Sequence, residues 1–483
     1  MLVLTTAWRI NWLMTDCKSH QMEFQELGRR RVLASFDGGN VTTDAGGLLL
    51  REVAQGSKII ERFARCFTDY RNPDLIEFTV VDLIGQRTIA LALGYEDLND
   101  HDHLRRDPLL AVLAEKYDVL GAEREKSRDQ GCALAGKSTL NRLELTPADA
   151  DSDSRYKKIV YRERAVEDFF VDWYIDRQQE APKVICIDLD ATDDPTHGNQ
   201  EGSYFHGYYD HYCYLPLYMF VGDDLLSARL RSSECDPHEG VIEDLTRIVE
   251  KIRARFPKAR IIVRGDSGFC RDDLMSWCEA RRIDYVLGIA QNARLLAMIK
   301  KAMKKAKRKF KKKGVPVKIY RNLKYRTLST WSRKRRVVAK AEHLDKGANP
   351  RFVVTTIDVE EEGARALYED NYCARGDMEN RIKEQQMGMF SDRTSAHTMR
   401  ANQLRLWLSS LAYVLVTELR RVGLKSTTMA AAQSWTIREK LFKIGAVVTV
   451  SVRRIIVHMS TAFPWKDVFE TCLTNLQEHY GTG

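Results

Sequence analysis

The sequence lacks the features that identify several classes of protein. Its ten cysteines are scattered over 483 residues, and no two of them form a C-x-x-C pair. Zinc ribbons and zinc fingers depend on such pairs, so neither is expected, and scattered thiols are typical of a reducing compartment. No apolar run reaches the roughly 18 residues that a membrane span needs. We therefore expect a cytoplasmic protein without a membrane partner.

The amino-terminal segment also lacks the parts of a secretion signal. "MLVLTTAWRINWLM" is apolar in places, but Arg9 and Asn11 interrupt it. No cleavage site of small residues follows. We expect residues 1–32 to form a poorly ordered extension, and Met14 and Met22 are plausible start sites.

The composition is that of a globular protein. Hydrophobic residues make up 44% of the chain and charged residues 30%, which favours a folded chain with at least one large core. The net charge of +9 favours an acidic partner such as nucleic acid. This inference is weak by itself, because many basic proteins bind no DNA.

The hydrophobic pattern changes along the chain. Apolar residues recur at helical spacing up to residue 180, and from Lys183 strand-like and helical stretches alternate. The order of three strands, helix, strand, helix and strand predicts an α/β sheet that begins with an antiparallel meander. The expected regions are a helical region at 33–180, an α/β region at 181–291 continued at 367–395, a basic β-rich insertion at 292–366 and a mainly helical region at 396–483.

Carboxylates mark the ends of two predicted strands. "ICIDLDATDDPTHG" contains four of them, and alternation places Asp188 and Asp190 on one face of its strand. Asp193 and Asp194 are expected in the following turn, where solvent shares their charge. Asp266 ends the later strand "IIVRGD". Because open α/β sheets bind ligands at the carboxyl ends of their strands, Asp190 and Asp266 can meet at a Mg²⁺ site, which needs at least one further acid.

The candidate for that acid lies in "YEDNYCARGDMENRIKEQQMGMF". Tyr372, Arg375, Glu379 and Lys383 are spaced 3, 4 and 4 residues apart, which predicts one stripe on a helix. One interpretation is an exposed helix with Glu–Lys pairs. The other is an acid that completes a metal site beside cations that hold phosphates.

Three further features are ambiguous. Lys300–Lys313 has ten Lys or Arg in fourteen positions, which is typical either of a DNA-neutralising segment or of a solvated or disordered loop. Trp331 is either a ring that stacks on an unpaired base or an ordinary tryptophan. "GCALAGKS" matches the P-loop pattern, but no apolar strand precedes it, and we expect no ATP site.

At this point the residues resemble a known family. Tyr372, Arg375 and Glu379 match the helix signature Y-x2-R-x3-E-x6-K of bacterial insertion-sequence DDE transposases, although Gln386 stands at the final position. Lys383, one turn earlier, is a candidate substitute. "DAT" at Asp190 and "RGDSGF" at Asp266 resemble the first two acid motifs, and "FDGGNVTTDAGGLLLREV", "STLNRLE" and "YCARGDMENRIKE" resemble insertion-sequence family thirteen-eighty. The resemblance runs from about residue 33 to residue 425.

The resemblance implies a ribonuclease-H-like catalytic core and a triad of Asp190, Asp266 and Glu379. The triad would hold two Mg²⁺ ions, or Mn²⁺ in their place, with Asp188 as a candidate accessory acid. The implied reaction is cleavage at the terminal inverted repeats, followed by joining of the 3′-hydroxyl ends to target DNA. Region 33–180 would bind the repeats of double-stranded DNA, and a homodimer near the bacterial nucleoid is expected because two ends must be cut together. The implied phosphate contacts are Tyr372, Arg375, Lys383, Lys304, Lys305, Lys307, Arg308, Lys309 and Lys311.

Two other functions are left open by the residues. The same fold could support a metal-dependent nuclease that cuts without joining. It could also belong to an inactive, transposase-derived DNA-binding protein, although the presence of all three acids argues against this.

Overall fold

The computed structural model describes residues 21–481, and the first twenty residues of the expected extension lie outside that range. Residues 22–34 form an antiparallel hairpin. The region up to residue 180 is mainly helical, as predicted. Its strands are β1 (Met22–Leu27), β2 (Arg30–Ala34), β3 (Val41–Thr42), β4 (Phe67–Asp69) and β5 (Ile159–Tyr161), and its helices are α1 (Leu48–Ser57), α2 (Ile59–Ala64), α3 (Val80–Leu93), α4 (His101–Leu104), α5 (Pro108–Leu113), α6 (Lys137–Glu144) and α7 (Glu163–Asp176).

The next region alternates strands and helices. The strands are β6 (Val184–Ala191), β7 (Asp194–Pro195), β8 (Tyr204–His206), β9 (His211–Tyr214), β10 (Leu217–Val221), β11 (Asp224–Arg229), β12 (Arg260–Gly265) and β13 (Asp284–Ile289), with helices α8 (Val241–Arg255) and α9 (Asp272–Ala280). The aromatic stretch after β6 is divided between two sheets, because β7, β8 and β9 pair in a small sheet of their own and β10 joins the main sheet.

The basic insertion, expected at residues 292–366, contains both helices and strands. Its elements are α10 (Ala293–Met298), α11 (Lys300–Lys313), β14 (Val317–Tyr325), β15 (Arg335–Leu344), β16 (Gly347–Ala348), β17 (Arg351–Thr355) and α12 (Ala364–Ala366). The strands do not form a separate module. Strand β17 pairs with β13, so the insertion extends the main sheet.

The carboxyl-terminal part begins with an irregular helical segment. A π-helical turn, Leu367–Tyr372, and a 3-10 turn, Cys373–Arg375, lead into α13 (Gly376–Lys383), and a second π-helical turn, Glu384–Gly388, follows. The remaining elements are α14 (Met399–Glu418), α15 (Ser434–Ile437), β18 (Ala446–Val450), β19 (Ile455–Met459) and α16 (Lys466–Tyr480).

One mixed sheet organises the molecule, with strand order β11-β10-β6-β12-β13-β17-β15-β14. β6, β12 and β13 are parallel to one another, whereas β10 pairs antiparallel with β6, and β11 pairs antiparallel with β10 at the edge of the sheet. This mixed α/β arrangement, with its initial meander, is consistent with the expected ribonuclease-H-like fold.

Alternation along β6 gives the sheet two different faces. Ile185, Ile187 and Leu189 are buried in the core that includes apolar residues of α8 and α9. Cys186, Asp188 and Asp190 point to the opposite face, where Tyr218 and Phe220 of the neighbouring strand join the core around α14. The carboxylates therefore lie on the face that α13 and α14 cover.

Helix α14 joins the two ends of the chain. It is buried along almost its whole length, and its residues share one core with those of α1, α3, α7 and α16. The expected amino-terminal and carboxyl-terminal helical regions therefore pack as one body. No helix within residues 21–481 combines the length and apolarity required to cross a bilayer.

Candidate active site

Asp190 and Asp266 lie at the same edge of the main sheet. Strands β6 and β12 are parallel, with Arg264 opposite Asp188, so two residues later each strand delivers its acid to the same side. Both carboxylates border a cavity of about 650 Å³. This is the position where open α/β sheets place ligands.

The local backbone fixes the orientation of Asp266. Its Oδ1 accepts a hydrogen bond of 2.8 Å from the backbone amide of Gly268, which caps the 3-10 turn Ser267–Phe269. The buried Phe269 ring anchors that turn in the core. Asp266 is therefore held by its own turn.

Helix α13 brings the third acid to the cavity. Met378 and Ile382 are buried, and because they are four residues apart they define the inner side of the helix. Glu379, whose side chain is 56% exposed, and Lys383 border the same cavity as the two aspartates. The structure thus brings together Asp190, Asp266, Glu379 and Lys383.

Gln386, the residue that departs from the signature, also borders this cavity. Its Nε2 donates a 2.9 Å hydrogen bond to the backbone carbonyl of Asp193. The amide therefore connects the π-helical turn after α13 to the turn after β6.

The guanidinium of Arg375 lies between two of the acids. Its Nη1 is 3.4 Å from Asp190 Oδ2, and its Nη2 is 3.4 Å from Glu379 Oε1. Burial, together with the negative charges of Asp266 and Glu379, raises the pKa of Asp190 to about 6, although Arg375 opposes the shift. The site therefore concentrates negative charge that a cation would relieve.

Tyr372 borders a second, adjacent cavity of about 390 Å³, which shares Asp266 and Arg375 with the first. Arg375 borders both cavities, so the four residues of the predicted stripe face two adjacent cavities, and the backbone between Tyr372 and Arg375 passes from a π-helical to a 3-10 turn. A glycine makes room for the ring. A Cβ added to Gly288 of β13 would lie 2.6 Å from the Tyr372 hydroxyl oxygen.

Asp188 lies behind the cavity and is engaged by Arg264. The guanidinium donates hydrogen bonds of 2.6 and 2.7 Å to its two carboxylate oxygens, and a third of 2.6 Å to the carbonyl of Asn371. Asp188 does not border the cavity. Through Arg264, Asp188 is connected to the strand that leads to Asp266 and to the segment that leads to Arg375.

The donor set fits Mg²⁺ in its chemistry, because carboxylate oxygens are the ligands that this ion prefers. Within residues 21–481, no three His, Cys, Asp or Glu side chains converge closely enough to hold one ion together. Mg²⁺ usually binds one or two carboxylates and completes its shell with water and substrate phosphates. Two of the acids that border this cavity would therefore be enough protein ligands for one Mg²⁺ ion.

The basic segment Lys300–Lys313 is helix α11, so its interpretation as a solvated or disordered loop is wrong. Ala302 and Ala306 are buried, and the helix lies against β14 and β15. The opposite side is a cationic stripe, and the residues that border its groove are Lys301, Lys304, Lys307, Arg308 and Lys311. Lys305 and Lys309, also expected to bind DNA, lie outside that groove.

Two sequence-based interpretations need correction. Trp331 is only 7% exposed and its ring contacts Tyr325 edge-on at 5.6 Å, which fits an ordinary packed tryptophan and not a ring presented to a base. Asp194 is buried, and neither of its carboxylate oxygens has a hydrogen-bond partner among residues 21–481. Burial raises the pKa of Asp194 well above its usual range, so solvent does not share its charge.

The site also contains residues that sequence reasoning missed. Arg264 stands two positions before Asp266, and strand alternation could have placed it on the same face as that acid. Nothing in the sequence marked Gly288 as part of the site, because the ring that it accommodates belongs to Tyr372, 84 positions further along the chain. The aromatic residues of "SYFHGYYDHYCY" were visible, but nothing in the sequence placed them at this cavity.

Comparison with known families matches residues 24–480 to the family described as transposase DDE domain group 1. This match spans nearly the whole chain, and the chain therefore belongs to that family. A comparison with curated proteins gives no match. Among solved structures, a piggyBac transposase synaptic complex with hairpin DNA is similar, with 13% identity over 83% of this chain and 80% of that chain and a TM-score of 0.40.

Proposed function

We propose that this transposase belongs to a bacterial insertion sequence of family thirteen-eighty, cuts DNA at the terminal inverted repeats and joins the 3′-hydroxyl ends to target DNA. The observation that carries the proposal is the single cavity bordered by Asp190, Asp266 and Glu379, with Arg375 and Lys383 beside them. Such a cluster of acids has no role in a core, and cations next to it suit a phosphodiester substrate.

The three acids would together hold two Mg²⁺ ions, or Mn²⁺. When bound, the ions supply activation of the attacking hydroxyl and stabilisation of the leaving oxygen in an in-line displacement. Lys383 would orient the phosphate from the exposed side of α13. Arg375 would exchange its contacts with Asp190 and Glu379 for the phosphate, while the neutral Tyr372 hydroxyl, whose pKa burial raises, would donate to it.

The reaction consists of two displacements at phosphorus. Water attacks the phosphodiester at the element end, and the bond to the 3′-oxygen breaks to leave a free 3′-hydroxyl. That hydroxyl then attacks a target phosphodiester, so one phosphodiester is exchanged for another. The second step needs no ATP because the number of phosphodiester bonds is unchanged.

The rest of the chain would hold the DNA. The cationic groove of α11 suits the phosphate backbone, and the helical region 33–180 is proposed to recognise the terminal repeats. The catalytic core would comprise residues 181–291 and 367–395. A homodimer would allow the two ends of the element to be cut together.

The test is an assay with the chain's own flanking DNA ends. Duplexes that carry these ends are incubated with Mg²⁺, and strand cleavage is measured. Joining is then measured separately with a pre-cut end and a supercoiled target. Cleavage without joined product would favour the nuclease, and binding without cleavage would favour the inactive DNA-binding protein.

A further inference from the structure

A short hairpin stands at the rim of the cavity that holds the three acids. Strands β8 and β9 pair antiparallel, with Phe205 opposite Tyr212 and His206 opposite His211. The turn between them contains Tyr208 and Tyr209. Both tyrosines and His206 border the cavity together with Asp190, Asp266 and Glu379.

The rings of this hairpin are unusually exposed. Tyr208 is 85% exposed, Tyr212 58% and Phe205 53%. They form two edge-to-face pairs, Tyr208 with Tyr209 at 5.0 Å and Phe205 with Tyr212 at 5.7 Å between ring centroids. A cluster of exposed aromatic rings marks a binding surface more often than a structural one.

The base of the hairpin is firmly anchored. The Ser233 hydroxyl both accepts a hydrogen bond from the Tyr204 amide and donates one to the Tyr204 carbonyl, each of 3.0 Å. The Thr196 amide donates to the Tyr212 carbonyl at 3.0 Å. The rings are therefore presented on a fixed support, which lowers the entropy cost of binding.

The local charge shows which part of DNA this hairpin suits. The chain has 76 Lys and Arg residues, yet there is none from Val184 through Ala228. Asp193 and Asp210 lie in the same segment. The hairpin itself therefore offers no Lys or Arg to the phosphate backbone, and the cations at the cavity, Arg375 and Lys383, come from the helical segment opposite. What the hairpin contributes is aromatic rings, which suit the neutral faces of bases.

A base inside a duplex is covered by its neighbours and cannot reach such a ring. We propose that Tyr208, backed by Tyr209, stacks on an unpaired nucleobase next to the phosphodiester that enters the carboxylate cavity, and that the Phe205–Tyr212 pair extends this surface. The inference rests on the proposed function for the identity of the DNA. It assigns the stacking role to this hairpin and not to Trp331.

The test measures binding in EDTA, without cleavage. Three forms of a labelled duplex with one flanking DNA end are compared by fluorescence anisotropy. The first is fully paired, the second has one unpaired thymine, and the third has an abasic site in place of that thymine. The altered position is moved one base pair at a time across the junction between the element end and the flanking DNA. Wild-type protein is expected to prefer the unpaired thymine at one or two neighbouring positions, and to lose that preference for the abasic form because no base remains to stack.

The variant Tyr208→Ala is expected to lose that preference by roughly 5- to 150-fold, the usual range for one base–aromatic stack, while binding paired DNA as wild type does. Tyr208→Trp should retain it. The matched control is Tyr117→Ala, which removes a tyrosine that is 96% exposed and borders a different surface. It should behave as wild type.

The outcomes separate this inference from the proposed function. Cleavage by wild type in Mg²⁺ with no preference for the unpaired thymine, or with a preference that Tyr208→Ala keeps, overturns the stacking role alone. A preference that depends on Tyr208 without cleavage supports the stacking role and rejects the proposed chemistry. Absence of DNA binding rejects both.

Discussion

The guanidinium of Arg264 holds the carboxylate of Asp188 through two hydrogen bonds, of 2.6 and 2.7 Å. The two residues face each other on the parallel strands β12 and β6, two positions before Asp266 and Asp190. A third bond from Arg264 reaches the carbonyl of Asn371, just before the segment that carries Arg375 and Glu379. One side chain thus connects the three elements that deliver the three acids.

Replacing Arg264 should therefore impair both stability and cleavage. Arg264→Ala leaves the buried Asp188 carboxylate without its partner, and we expect a loss of about 3–5 kcal/mol in the free energy of unfolding, measured by urea denaturation. Arg264→Lys keeps the charge but not the paired geometry, and should cleave more slowly at unchanged DNA affinity. The control is Arg260→Ala on the same strand, where the partly exposed pairs with Asp284 and Glu361 should each contribute at most about 1 kcal/mol. Wild-type stability of Arg264→Ala would contradict the role.

The three acids should be required for chemistry and not for binding. Asp190→Ala, Asp266→Ala and Glu379→Ala should each abolish Mg²⁺-dependent cleavage, because each removes oxygen ligands that the site cannot replace. DNA affinity, measured by anisotropy in EDTA, should stay largely intact or increase slightly, since a negative charge is lost. If Asp190→Ala still cuts and Asp188→Ala does not, the assignment on β6 is wrong.

The absence of a side chain at Gly288 should matter for the position of Tyr372. In Gly288→Ala the new Cβ would lie 2.6 Å from the Tyr372 hydroxyl oxygen and 3.1 Å from the Ser267 backbone nitrogen, so the ring must shift from its place beside β13. We expect cleavage to fall by more than tenfold with a destabilisation of about 1–3 kcal/mol. The double variant Gly288→Ala with Tyr372→Phe removes the hydroxyl. It should recover part of the lost stability, and an unchanged deficit would show that the clash is with the turn alone.

The sequence was sufficient for the arrangement of the sheet near the acids. Alternating apolar residues predicted β6, β12 and β13 and the amphipathic helix α8, and the structure confirms each of them. These signals are local, because each element alone shows which face it buries. The position of Asp190 beside Asp266 followed from the rule that parallel strands end at one edge.

What the sequence could not predict depends on contacts between distant segments. The burial of Asp194 and Trp331 depends on side chains that arrive from other elements, so the turn before Pro195 suggested exposure for Asp194, and the sequence left both interpretations of Trp331 open. The π-helical turn Leu367–Tyr372 and the 3-10 turn Cys373–Arg375 replace the regular helix that the spacing predicted. The basic segment was ambiguous because its two buried alanines give a weak apolar signal, and only packing on β14 and β15 establishes the helix.

The groove of α11 should carry part of the salt dependence of DNA binding. Replacing Lys304, Lys307 and Lys311 with Ala should lower the slope of log affinity against log salt by roughly 0.9 for each phosphate that is no longer neutralised, or about 2.7 in all. The matched control replaces Lys305, Lys309 and Lys312, which removes equal charge from the same helix but outside the groove. Equal reductions of the slope in both triple variants would mean that the helix acts through its total charge and not through the groove.

Asp194 should make the stability of the protein depend on pH. In the unfolded chain its carboxyl ionises near pH 4, whereas burial keeps it protonated to a much higher pH in the fold, and the negative charges of Asp392 and Asp193 add to the shift. Because the folded state then binds the extra proton, stability falls as the pH rises above about 4, by about 1.4 kcal/mol for each unit between the two pKa values.

The neutral variant Asp194→Asn removes this dependence. Its amide can donate to the Thr394 hydroxyl oxygen, which has no hydrogen-bond partner within the described residues. Urea denaturation should show similar stability for the two proteins near pH 4.5 and a more stable variant near pH 7.5. The comparison variant is Asp392→Asn, at a less buried carboxyl whose pKa is also raised by burial. Its gain in stability over wild type should also increase from pH 4.5 to pH 7.5, but by a smaller amount. If Asp194→Asn is less stable than wild type at both pH values by the same amount, the carboxyl is ionised in the fold and is stabilised there by a contact that a neutral amide cannot replace.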